Sequence, residues 1–317
     1  MGILRRARKA MLLLLTWIIW TCGIDVTQGD EAAASASPPP MSNQLEDGST
    51  ETNAGSMWQW RQVSSPSSQE AEPSFTSGKQ QLKKKKKKRS RANAMSWVTL
   101  QRMYPGSFVA WGPRGSRRVA LTFDDVPDPR FTPQVLEILA RYKVRATFFV
   151  VGQRAAKHPA LVQRIAREGH IIGNHSYDHA VFSRISRYAF EKQIVRTDQI
   201  IRPLIGYSPK FVRPPYGEIL PHQVEWLRSR GYIVVNWDSD SNDWKGLDSN
   251  TILINIKRTL QPGSIILQHA GGGEGQDLSG TINALPRLIK LLRSKGYQIV
   301  TLPELLNRPA GRNWRSR

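Results

Sequence analysis

From about residue 118 onward, apolar residues recur in short runs, and between the runs they fall at helical spacing. Val119 to Phe123 reads as a short buried strand, and Pro133 to Tyr142 as a helix with Val135, Ile138 and Leu139 on one face. The alternation continues. Ala146 to Val151 is a strand, and Pro159 to Glu168 a helix with proline at its start and Gly169 past its end. Ile171 to Gly173 is a strand, and Tyr188 to Ile205 a longer helix with a bend expected near Pro203. Lys210 to Val212 precedes the helix Pro221 to Arg230, which Gly231 closes. Tyr232 to Trp237, helix Thr251 to Leu260, strand Ser264 to Leu267, helix Thr281 to Lys295 and strand Gln298 to Val300 complete the series. About seven strand–helix units imply a parallel sheet. An open doubly wound sheet would not easily gather five successive strand ends, so a barrel is the favoured α/β architecture.

Residues 25–95 break the pattern. They are rich in Ser, Pro, Ala, Gln and Glu, and cannot bury enough surface to offset the entropy of ordering. This stretch reads as a disordered linker. It carries a polybasic run over 83–89, Lys83 to Lys88 and Arg89. The plain reading of that run is a solvated spacer; the sharper one is contact with an anionic surface such as cell-wall polymer or lipid.

Residues 1–24 carry a basic start, Arg5 to Lys9, and then an uncharged, mostly apolar run from Ala10 to Ile24. That is the pattern of a secretory signal, or of an uncleaved N-terminal membrane anchor, and the address is extracytoplasmic: secreted or membrane-anchored. The formal charge of +21 would suggest nucleic acid, but of the 46 Lys and Arg, nine lie between Lys79 and Arg91 and four between Arg5 and Lys9. The excess sits in flanks, so no nucleic-acid partner is expected. The single cysteine, Cys22, excludes an intrachain disulfide and a thiolate metal site. One apparent core gives no reason to expect an oligomer, and a monomer is the expectation.

Five motifs stand at the C-terminal ends of the expected strands: Thr122-Phe123-Asp124-Asp125, His175 to His179, Arg213-Pro214-Pro215-Tyr216, Asp240 to Trp244, and Leu267-Gln268-His269. His175 and His179 are spaced so that both can face one ion, though the spacing alone fits two hydrogen-bonded turn histidines better. Asp125 supplies a third ligand, and two His with one Asp suit zinc (Zn), Co or Fe(II). Asp124 diverges from its neighbour and is free to face substrate, unless the two acids merely form a turn. Pro214 and Pro215 lack N–H donors, so the Tyr216 N–H is the first free donor after Arg213. A buried His269–Asp243 pair fits a proton donor held charged. Trp244 and Leu267 are either a small apolar pocket or core. The glycines Gly271 to Gly273 are expected to form a flexible loop.

The ordered set resembles the polysaccharide deacetylases of carbohydrate esterase family four, the NodB homology domain, over about residues 117–306. The resemblance implies a distorted (β/α) barrel of about seven parallel strands. It implies one divalent metal, foremost zinc, bound by Asp125, His175 and His179. It also implies Asp124 as general base held by Arg213, and His269 as general acid held by Asp243. The Tyr216 N–H would serve the oxyanion, while Leu267 and Trp244 would shape the acetyl pocket. The expected substrate is an N-acetylated polysaccharide, peptidoglycan or chitin-like, with acetylated xylan as the ester alternative. A two-His-one-carboxylate oxygenase leaves the Asp124–Arg213 and Asp243–His269 pairs unexplained. A binding protein on an inactive barrel predicts a missing site residue, and none is missing.

Overall fold

The computed structural model describes residues 95–312. The expected leader over 1–24 and the basic run over 83–89 lie outside the described residues. Among the described residues no helix is long and apolar enough to cross a membrane.

The described chain opens with helix α1 (Trp97–Met103), whose first turn is capped by the Ser96 hydroxyl accepting from the Thr99 N–H, and then β1 (Phe108–Val109). Both lie ahead of the first strand expected from sequence. There follow β2 (Arg118–Val126), α2 (Thr132–Arg141), β3 (Thr147–Val150), α3 (Gly152–Lys157), α4 (Pro159–Arg167) and β4 (Ile171–Asn174). Helix α5 (Arg187–Ile205) runs unbroken past Pro203, which sits in its last turn, so the expected bend does not divide it. Gly206, at φ 82°, ends it in the left-handed conformation. Next come β5 (Ser208–Pro209), β6 (Phe211–Val212), α6 (Pro221–Ser229), β7 (Ile233–Val235), β8 (Ser239–Asp240), α7 (Ser249–Thr259) and β9 (Ile265–His269). The described part closes with α8 (Ser279–Ser294), β10 (Gln298–Val300), α9 (Leu302–Leu306) and β11 (Gly311–Arg312).

Nine of these strands form one sheet in the order β1-β7-β6-β4-β3-β2-β9-β8, with β10 pairing the start of β2. Its ladders are parallel, and the sheet curls into a half-barrel open between β1 and β8. This is the distorted (β/α) barrel expected from sequence. Strand alternation sorts β2 between two cores. Val119, Leu121 and Phe123 face the helices, packing with Leu136, Ile256 and Leu288. Ala120 faces the interior with Phe149, Phe211, Val235 and Ile265. Thr122 and Asp124 continue the interior row toward the C-terminal end of the strand. A third cluster, around Phe108, Phe182, Phe190 and Trp226, seats α1 through Leu100.

Helix α1 also supports the site. Trp97 Nε1–H donates to the Gly217 carbonyl at 3.1 Å, and a Cβ on Gly217 would meet the Trp97 ring at 2.3 Å. Only glycine lets the turn after Tyr216 close against that indole. Leu100 is buried, so Leu100→Ala should lower unfolding stability by about 2–5 kcal/mol in urea titrations. A change under about 0.5 kcal/mol would show that α1 is not an integral part of the fold.

Candidate active site

The parallel register sets Asp124 of β2 directly beside His269 of β9. Asp125, the next residue, would point to the opposite face in a regular strand. Instead its φ is 65° and the β2–β3 register shifts between Phe123 and Val126. That local bulge turns the second carboxylate to the same end of the barrel.

His175 and His179 lie in a loop after β4, not on a helical turn. Ser176 and His179 both adopt left-handed backbone, at φ 66° and 63°. The loop is tied internally. The Ser176 hydroxyl accepts from the His179 N–H at 2.9 Å, and Asn174 Oδ1 from the Ser176 N–H at 3.0 Å. Gln193 Oε1 accepts from the N–H groups of Tyr177 and Asp178. Asn174 and Gln193 were not foreseen from sequence, where nothing but proximity to the histidines marked Asn174. His175 Nδ1–H donates to the Arg213 carbonyl at 2.7 Å; because a carbonyl can only accept, Nε2 keeps its lone pair for the site.

Three donor atoms converge. His179 Nε2 is 3.3 Å and His175 Nε2 3.6 Å from Asp125 Oδ1, and the ligand atoms of Asp125, His175 and His179 all lie within 4.8 Å of one another. Asp125 Oδ1 is buried and has no hydrogen-bond partner. Burial, with the nearby His179, holds the His175 pKa down at about 3, so its imidazole is neutral. A buried unpartnered carboxylate oxygen facing two imidazole nitrogens fits a divalent cation.

Asp124 is held from the other side. Arg213 Nη1 donates to Asp124 Oδ1 and to the Thr122 hydroxyl, both at 2.8 Å. The guanidinium is fully buried, lies over the Phe149 ring at 4.2 Å, and also donates to the carbonyls of Val235 and Asn236. Burial pushes the Asp124 carboxyl up from its ordinary value, and the charges of Arg213 and His269 oppose that rise. The second oxygen, Oδ2, is 3.7 Å from His175 Nε2, so it faces the cluster of ligands.

His269 Nδ1 is 2.7 Å from Asp243 Oδ1, and Asp243 Oδ2 accepts from the His269 N–H and the Thr281 hydroxyl, each at 2.8 Å. Thr281, on α8, carried no signal in the sequence. Burial disfavours the charged imidazole, but Asp243, with help from Asp125 and Asp124, outweighs it and raises the His269 pKa to about 9.

The loop after His269 is not the flexible one expected. Gly271 and Gly272 are buried, and a Cβ on Gly271 would stand 2.0 Å from the Asp125 carbonyl oxygen. Gly272 donates its N–H to Asp128 and accepts from Arg154 and Arg130. Glycine is required here for close approach, and the loop is clamped.

Tyr216 is 63% exposed at φ 60°, with its ring edge-on to His179 at 4.9 Å between centroids. Trp244 is 48% exposed on the short turn Asp243–Lys245, whereas Leu267 is buried in β9 opposite Thr122.

A family profile described as polysaccharide deacetylase matches residues 112–235. A peptidoglycan-N-acetylglucosamine deacetylase of Bacillus cereus is 43% identical over 210 residues, which are 66% of this chain and 76% of that protein. The chain belongs to the polysaccharide deacetylase family. It is a hydrolase of the deacetylase class. A solved peptidoglycan N-acetylglucosamine deacetylase, crystallised with a naphthalenyl N-oxidanyl-benzamide, matches with TM-score 0.65 and 42% identity over 69% of this chain and 99% of that one. A family-four pseudoenzyme from Bacillus anthracis matches with TM-score 0.59 and 26% identity, over 64% of this chain and 69% of that one. The same barrel therefore occurs without activity, and catalytic arguments for this deacetylase rest on its side chains.

One such argument is testable by pH. With a raised pKa of about 9, His269 stays charged through neutral pH. The ordinary value is 6.5, so the stability the pair contributes is complete below that and is lost as pH rises through about 9. In Asp243→Asn the burial remains and the main compensating charge is gone. The alkaline limb of kcat/KM should move down from near pH 9. An unmoved limb would assign it to another group.

Proposed function

We propose that this chain is a metal-dependent N-deacetylase acting outside the cytoplasm on polymers that contain N-acetylglucosamine, peptidoglycan foremost and chitin-like chains next. The observation that carries the reading is the register of β2 and β9. It sets a carboxylate and a charged imidazole side by side, next to a three-residue ligand set, each with its own buried counter-charge. Relatives named for peptidoglycan N-acetylglucosamine support the polymer, as does the secretory pattern of residues 1–24. Membrane attachment through that segment, and contact of the basic run with anionic wall polymer or lipid, rest on sequence pattern, as does a monomeric state.

Asp125, His175 and His179 would hold one divalent ion, zinc or cobalt, whose positive charge would polarise the acetamide carbonyl and acidify a water. Asp124 accepts a proton from the attacking water, and Arg213 keeps the carboxylate aimed and opposes the rise in its pKa that burial causes. The water oxygen bonds to the carbonyl carbon, and negative charge gathers on the carbonyl oxygen. The Tyr216 N–H, preceded by two prolines and followed by a Gly217 N–H already committed to the Pro214 carbonyl at 2.9 Å, donates to that oxygen. His269 gives its proton to the departing nitrogen, so the carbon–nitrogen bond breaks to acetate and a free amine. Leu267 and Trp244 form the walls for the acetyl methyl group.

The test is acetate release from peptidoglycan, chitin oligomers and acetylated xylan, with added zinc or cobalt and again with chelator. Chelator-sensitive release from an N-acetylated polymer is the expected result, and release from xylan alone would replace the amide reading with an ester one. Asp124→Asn should keep its metal and lose about 10²–10⁴-fold in kcat. Full turnover in that variant would remove Asp124 from the base role. His175→Ala should lose the metal itself in elemental analysis, and a fully metallated variant would refute the ligand set.

A further inference from the structure

A cavity of about 400 Å³ opens beside the site, lined by Pro127, Arg130, Gln153, Arg154, Lys157 and His158 around Asp128. It shares a wall with the ligand set. Pro127 follows Asp125 by two positions, and Gln153 N–H donates to the carbonyl of Tyr177 inside the His175–His179 loop at 2.8 Å. Arg154 Nη1 lies 3.0 Å from where a Cβ on Gly271 would stand, and that same position is 2.0 Å from the Asp125 carbonyl oxygen.

The charges do not cancel. Asp128 is buried and accepts from Arg130 at 2.8 Å and Arg154 at 3.3 Å. Glu274 is the other acid whose field reaches Arg130. Two acids thus offset two guanidinium groups, and the Lys157 ammonium is left over. Lys157 is exposed, and its ammonium has no hydrogen bond or ion pair among the described residues; nor has the His158 ring or the Gln153 side-chain amide. Arg130 and Arg154 are fixed by Asp128 and by the carbonyl of Gly272, so the cationic wall is preorganised. A concave pocket with fixed guanidinium groups, one uncompensated ammonium and unpartnered donors suits a carboxylate.

We propose that this pocket is a subsite for a carboxylate-bearing substituent of the polymer, carried on a sugar next to the one deacetylated. The proposal rests on the deacetylase reading above and deepens it. It makes the enzyme select glycan strands bearing acidic side groups over uncharged N-acetylglucosamine oligomers. The selectivity is electrostatic, so it appears in KM and shrinks with added salt.

The experiment uses the full chain loaded with metal and the charge-reversed variant Lys157→Glu, which alters an exposed residue outside the catalytic machinery. Three substrates are compared: peptidoglycan strands carrying their peptide stems, the same strands after the peptides are removed, and chitopentaose. Lys157→Glu should raise KM on at least one of the two kinds of strand on the order of tenfold and leave chitopentaose within about twofold. Removing the peptide frees the carboxyl that joined it to the sugar, so a loss confined to stripped strands makes that sugar-linked carboxylate the ligand, and a loss confined to stem-bearing strands makes the peptide carboxylates the ligand. A loss on both shows that the pocket takes either. An unchanged KM on both kinds of strand, or an equal loss on chitopentaose, overturns the subsite. Wild-type release from chitopentaose alone overturns the subsite while the deacetylase reading stands, and release from none of the three overturns both.

Discussion

The rest of the site is built around one buried guanidinium. Arg213 is among the largest fully buried side chains, and its bonds reach three other strands or their ends. Its side chain binds Thr122 and Asp124 of β2 and the carbonyls of Val235 and Asn236 at the end of β7. Its backbone N–H donates to Asn174 of β4, and its carbonyl fixes the ring of His175. Taking such a charge out of water costs several kcal/mol, and only a full set of acceptors offsets that. Lysine, with three donors at a single point, could not make this planar set of contacts. The constraint runs outward: the same residue orients Asp124 and selects the His175 tautomer.

Backbone strain is gathered at this end of the barrel. Among the described residues, seven non-glycine positions have φ in the left-handed region, and five of them, Asp125, Ser176, His179, Tyr216 and Asn242, lie among or directly beside the candidate site residues. Each costs about 1–2 kcal/mol relative to ordinary backbone. Local bonds offset part of that: the Ser176 hydroxyl holds the His179 N–H, and Asp240 holds the Asn242 N–H at 2.8 Å. These kinks let residues adjacent in sequence share one site. A regular β2 would send Asp125 to the helix face, away from His175 and His179.

That explains what could be read from sequence. Strand ends were legible because Leu121-Thr122-Phe123 and Ile265-Ile266-Leu267 are compact apolar runs that stop at polar motifs. The pairing of motifs was legible through residue type and order. Register, φ and second contacts were not. Thr281 reaches Asp243 from 38 residues away on a helix that sequence marks only as amphipathic. Helix α1 has seven residues, too short for periodicity to stand out beside a basic stretch. Gly271 to Gly273 read as flexible because glycine permits freedom. The Asp125 carbonyl, pressed against Gly271, shows that here glycine serves contact instead.

The electrostatic pairing of Asp124 with His269 has a consequence for how the proposed reaction moves protons. The two are register partners, and each favours the other's charge: His269 opposes the rise in the Asp124 pKa, and Asp124 adds to the rise in that of His269. Asp124 accepts a proton at the attack and His269 releases one at the departure, so once the carbon–nitrogen bond has broken both charges are gone and the net charge of the pair is the same before and after. Arg213 and Asp243 remain as the fixed opposite charges on either side. A base and an acid on distant strands would lack this mutual support and depend on Arg213 and Asp243 alone. Their adjacency across β2 and β9 therefore lets each of two perturbed groups favour the other's charge at this end of the barrel.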